Sequence, residues 1–141
     1  MLNTVLNTLY DLQPGMQSPD YVRAAAEVRK RLRKRSLVII VTNMRDEDTS
    51  EALPALGMLH RHHLVLLASL RERIISDVLR RPIVDFDAAL TLAATQRYLL
   101  ARRKAHDALG DAGALSLDVE PERLPITLVN RYLDIKSSGR L

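Results

Sequence analysis

RKRSLVIIVTNMRDEDTS, residues 33–50, decides how the rest of the chain is read. Three cations give way to Leu37, Val38, Ile39, Ile40, Val41 and Thr42, and then to a polar loop with Asp46, Glu47 and Asp48. A β-branched run without polar alternation predicts a strand covered on both faces, as in a parallel sheet. In open sheets of that kind ligands gather at the carboxyl ends of the strands, so a site belongs in the loop after Thr42.

Outward from this strand, HRHHLVLLASL contains a second uninterrupted one, Leu64 to Leu70, and Ala114 to Val119 suits a third. Helical periodicity fills the intervals. Residues 2–12 carry Leu2, Val5, Leu6, Leu9 and Leu12 on one stripe, and the turn formers QPGMQSPD follow, with Ser18 or Asp20 as cap of the next helix. Tyr21 to about Lys34 is expected to be a surface helix. Residues 49–60 form another, with Thr49 as cap and Pro54 near the start, and 71–80 a short one stopping before Pro82. The longest runs from Asp85 to about Leu109, with Gly110 as its stop, and the last spans Glu122 to about Ile135. In that last helix Tyr132 and Leu133 are assigned to the core. The order α-α-β-α-β-α-α-β-α is that of an α/β domain: a mainly parallel sheet, right-handed crossovers and helices on both faces.

Composition narrows the function classes. With 141 residues, 47% hydrophobic and 27% charged, the chain has the length of one globular domain. It has no cysteine, which excludes disulfides and thiolate metal sites. The first residues, MLNTVLNTLYDL, lack the features of a signal peptide and no apolar run is long enough to span a membrane, so a cytoplasmic location is expected. The net charge of +4 is concentrated in Arg29, Lys30, Arg31, Arg33, Lys34 and Arg35. Such a cluster suits nucleic acid or an acidic partner; it also suits a solvated helix end, where cations complement the macrodipole.

Chemistry-bearing motifs are sparse. Thr42, Asp46, Glu47 and Asp48 offer the oxygen ligands that Mg²⁺ takes, although acids in a loop also serve simply to favour the next helix N-terminus. His60, His62 and His63 lack the i, i+4 spacing of a helical zinc pair and are expected at the surface of a helix-to-strand connection. There is no P-loop, GxGxxG or nucleophile elbow, so no enzymatic reaction and no cofactor is assigned.

Two segments carry a family likeness. SLVIIVTNMRDEDTSEALPALGMLHRHHLVLLASLRE (36–72) and ERLPITLVNRYLDIKSSGRL (122–141), with LYDLQP (9–14) and SPDY (18–21) in order before them, resemble a bacterial von Willebrand factor A-like family of unknown function that accompanies MoxR-type AAA+ ATPases. VNRYLDIK is the most specific piece. The resemblance implies a six-stranded, parallel-rich sheet of which this chain holds the C-terminal part. It also implies a metal-ion-dependent adhesion site built from three loops. The first element, D-x-S-x-S, does not occur. The second falls at QSPDY, where Ser18 supplies the hydroxyl, and the third ends the strand as VIIVTN, with Asn43 where the family has aspartate. An amide is a weaker ligand than a carboxylate for a hard dication, so the site is expected to be degenerate, with Asp46 or Asp48 as substitutes.

The expected function is protein–protein interaction, with a MoxR-like AAA+ ATPase as the implied partner. Full-length members tend to carry membrane-spanning helices upstream. A partial sheet leaves an open strand edge, from which a homodimer by edge pairing or segment exchange is expected. The rivals are a nucleic-acid-binding module using Arg29 to Arg35 and a Mg²⁺-dependent adhesion or hydrolytic domain centred on Asp46 and Asp48.

Overall fold

The computed structural model describes residues 2–44 and 48–141. Its elements are α1 (Leu2–Tyr10), α2 (Tyr21–Arg31), β1 (Leu37–Thr42), α3 (Thr49–His60), β2 (Leu64–Leu70), α4 (Arg73–Arg80), α5 (Phe86–Asp111), β3 (Leu115–Val119) and, after a 3-10 turn at Pro121–Arg123, α6 (Leu124–Ser137). The three strands form one parallel sheet in the order β1-β2-β3. Leu37 pairs with Leu64 through to Thr42 with Ser69, and Leu66 pairs with Leu115 through to Leu70 with Val119. The fold is thus α/β, with the expected element order.

Because the strand order advances in one direction, right-handed crossovers place α3 and α5 on the same face. There Val38, Ile40, Val65 and Leu67 meet Leu56 of α3 and Leu109 of α5 in one core, which α2 closes with Tyr21 and Ala25. Central strand β2 is buried from Leu64 to Ser69, and each large side chain so enclosed contributes about 1.5–3 kcal/mol. α2 starts where Asp20 accepts the Arg23 N–H at 2.8 Å, and α5 where Asp85 accepts the Ala88 N–H at 2.7 Å.

The opposite face is less complete. α6 lies along β2 and buries Ile135, while Leu64, Leu66 and Ala68 are fully covered. On β1 the residues of that face are Leu37, Ile39 and Val41; Ile39 is 38% exposed and Val41 51%. The expected burial of this strand on both faces therefore holds on one side only.

Other readings are also corrected. α2 ends at Arg31, where the chain turns extended at Leu32, so the basic run is split between the helix end and the segment leading into β1. Gly110 lies inside α5, and the turn is made by Gly113, whose φ of 90° is glycine territory. His63 is buried rather than superficial, although His60 and His62 are exposed. Tyr132 and Leu133 face outward, because Ile135 is the position of α6 turned to the sheet. Among the described residues, no helix is long and apolar enough to cross a membrane.

Candidate functional site at the carboxyl end of the sheet

The carboxyl ends of the three strands are tied by one side chain that the sequence reading overlooked. α5 presents Thr95, Arg102, Ala105 and Leu109 to the interior at helical spacing, so Arg102 takes a core position and is only 3% exposed. Its Nε and Nη2 donate to Asp118 Oδ1 of β3 at 3.1 and 3.0 Å. Nη2 also reaches Ser69 Oγ at 2.6 Å and the Leu70 carbonyl at 2.8 Å, both on β2. Nη1 donates to the Met44 carbonyl beyond β1 at 2.9 Å and to the Tyr98 hydroxyl, one turn earlier on α5, at 3.3 Å. Every N–H of the guanidinium is engaged. A buried charge is tolerated only on such terms. Arg71 Nη1 approaches the other oxygen of Asp118 at 3.6 Å, but both side chains are about 30% exposed, so this pair contributes little.

The start of the expected metal loop lies beside this hub. Asn43 is exposed at the end of β1, and Met44 is buried with its carbonyl held by Arg102. Asp48 precedes α3, where its carbonyl accepts the N–H of Ala52 at 3.0 Å. Ser18 lines a cavity of about 370 Å³ with Asp20, Tyr21, Glu51 and Pro54, and the Tyr21 hydroxyl sits 3.0 Å from Thr42 Oγ1. Asn43 thus follows β1, Asp48 precedes α3 and Ser18 lies three residues before the Tyr21 that contacts Thr42, whereas Asp46 and Glu47 lie outside the described residues. No three His, Asp or Glu side chains among the described residues are grouped to hold a metal ion. Asn43 is neutral, and the guanidinium on the adjoining carbonyl opposes a second cation nearby. The described donors do not make a Mg²⁺ site, and no chemical step is derived through one.

Of the basic run, Lys30 pairs with Glu27 at 2.8 Å and Arg31 approaches it at 4.0 Å. Arg29, Arg33, Lys34 and Arg35 are exposed and make no ion pair among the described residues.

A groove between α5 and β3 holds the other titratable groups. Arg71, Arg103, His106, Ser116 and Asp118 line a cavity of about 360 Å³. His106 Nδ1 is hydrogen-bonded to Ser116 Oγ, and its Nε2 is buried without a partner. Asp118 is committed to Arg102 rather than to this imidazole, so serine, histidine and aspartate do not form a relay. Burial holds His106 below its ordinary value of 6.5, opposed by the Asp118 charge, reinforced by Arg102 and opposed again by Asp107. Since the folded state resists protonation, stability is full above 6.5 and declines as the pH falls from there towards the lowered folded value. Urea midpoints at pH 7.5 and 5.5 are expected to drop in the acid for the wild type, and to drop less for His106→Asn. Equal drops would mean that other groups carry the dependence. On the far side of Arg71, Glu120 accepts a hydrogen bond from Ser76, which with the charges of Arg71, Arg123 and Arg80 holds its carboxyl below the usual range.

This end of the sheet is thus built for cohesion: an arginine joins three strands, and its neighbours balance one another's charge. Comparison with family models, with curated proteins and with solved structures gives no match for the chain.

Proposed function

We propose that the chain is a protein-interaction module of von Willebrand A-like type, acting in the cytoplasm with a MoxR-like AAA+ ATPase and carrying a degenerate metal site. The observation that carries this reading is apolar surface on one side of the molecule. On α6, Ile126, Val129 and Leu133 follow helical spacing and are 67, 57 and 53% exposed. Beside that helix the outer face of β1 is uncovered. Apolar surface of this kind is characteristic of a contact site. The likeness of VNRYLDIK to the ATPase-associated family supplies the partner, and Val129, Tyr132 and Leu133 of that segment are exposed on α6.

The test is titration of the purified chain against a purified MoxR-type ATPase from the same genome. Binding is expected, and Val129→Asp with Leu133→Asp is expected to weaken it at least tenfold without lowering the melting temperature. No binding by the wild type, or equal binding by the variant, overturns the reading.

A further inference from the structure

We propose that two copies of this chain join through β1, antiparallel about a twofold axis at Ile39. The inference rests on the reading of the chain as an interaction module and commits its open strand edge to a second copy.

The backbone fixes which groups are free. The Ser36 carbonyl accepts the Leu64 N–H at 3.0 Å, so Ser36, Val38, Ile40 and Thr42 turn their backbone groups to β2. By the alternation of a strand, the N–H and C=O groups of Leu37, Ile39 and Val41 point to the open edge. Nothing along Leu37–Thr42 discourages pairing: there is no charge, no proline and no glycine. The other edge, β3, differs. Arg71 N–H donates to the Val119 carbonyl at 2.9 Å, which leaves the backbone groups of Ser116 and Asp118 outward, with Arg103 and His106 bordering the strand. Charge of that density is how natural edges avoid addition.

The free groups at 37, 39 and 41 are symmetric about Ile39, as a self-complementary contact requires. Antiparallel pairing places Leu37 opposite Val41 of the partner copy and Ile39 opposite its own counterpart. The result is a six-stranded sheet, β3-β2-β1-β1-β2-β3. An axis perpendicular to the sheet keeps both uncovered faces on one side, so the exposed Ile39 and Val41 side chains of the two copies merge into one patch. Charge selects the same arrangement. Arg33, Lys34 and Arg35 lie just before β1 and are exposed. Antiparallel pairing holds the two basic runs at opposite ends of the seam. Parallel pairing would set cations against cations.

Because the chain has no cysteine, single substitutions read the register directly. Opposed residues that exchange both hydrogen bonds lie about 5.5 Å apart at Cα, inside the range a disulfide spans. Oxidised Ile39→Cys is therefore expected to run as a covalent dimer. In Leu37→Cys the two thiols are offset by four residues, roughly 13 Å, and the chain is expected to stay single. Sedimentation of the wild type is expected to give a dimer whose dissociation constant rises at least tenfold in Ile39→Lys, which sets two like charges opposite each other. A wild type that sediments as a monomer overturns the proposal. So does cross-linking of Leu37→Cys as readily as Ile39→Cys. Both sites are at the surface edge, and an unchanged melting curve for the reduced variants verifies that they fold. If the wild type is monomeric yet still binds the ATPase, this inference fails and the interaction reading stands. A dimer that binds no ATPase has the reverse meaning.

Discussion

Replacing Arg102 with alanine is expected to cost about 3–5 kcal/mol, a large share of the ~5–15 kcal/mol that holds a domain of this size together. The cost comes from what the substitution strands. Ser69 Oγ and the carbonyls of Met44 and Leu70 lose a donor at buried or half-buried positions, and the Asp118 carboxylate loses its principal counter-charge. Arg102→Lys is expected to recover only part, because three donors on a point charge cannot reach three strands at once. Urea unfolding of Arg102→Ala, Asp118→Ala and the double variant checks the account. The double variant is expected to lose less than the sum of the single ones, since it no longer carries an unmatched carboxylate. Additive losses would show that the two side chains act independently.

Gly113→Ala is expected to destabilise the protein by about 1–3 kcal/mol, as a side chain there must adopt a backbone conformation that only glycine takes readily. Gly113 has φ 90°, and a Cβ built on it would lie 2.6 Å from His60 Nε2. Adding His60→Ala removes the contact but leaves the backbone strain, so it is expected to restore only a fraction. Gly110→Ala makes the contrast. That residue is helical with nothing within 4 Å of an added Cβ, and substitution is expected to gain up to about 1 kcal/mol. Thermal unfolding of the three variants measures both signs, and a harmless Gly113→Ala would refute the argument.

The two glycines also show where sequence reasoning stops. Strands were legible because LVIIVT and LVLLAS are uninterrupted apolar runs, and helices because their stripes repeat. Local rules then fixed the element order. They pointed to Gly110 as the end of α5, where the structure turns at Gly113; either glycine suits a helix stop, and only the folded chain sets Gly113 against His60. Arg102 was hidden for a related reason. Its partners Met44, Ser69 and Asp118 are 58, 33 and 16 residues away in the chain. The one available signal was an arginine on the apolar stripe shared with Ala105 and Leu109, and in a segment rich in cations it reads as surface. His63 was misjudged in the same way: the histidines of HRHH look alike in the sequence, but only His63 adjoins the central strand. The loop after β1 was marked from the strand pattern as the place for a site, yet the cation at its start could not be foreseen.

α1 is nine residues long, its Val5, Leu6 and Leu9 are all more than half exposed, and residues 11–20 behind it are exposed throughout. A helix that short has no lasting stability in water without a surface to lie on, because nucleation is costly and few hydrogen bonds repay it. Its amide protons would then exchange with solvent almost independently of the sheet, while those of β2 would wait for global unfolding. The thermodynamic border of the fold is therefore Asp20, whose carboxylate caps α2, rather than the first helical turn of the chain.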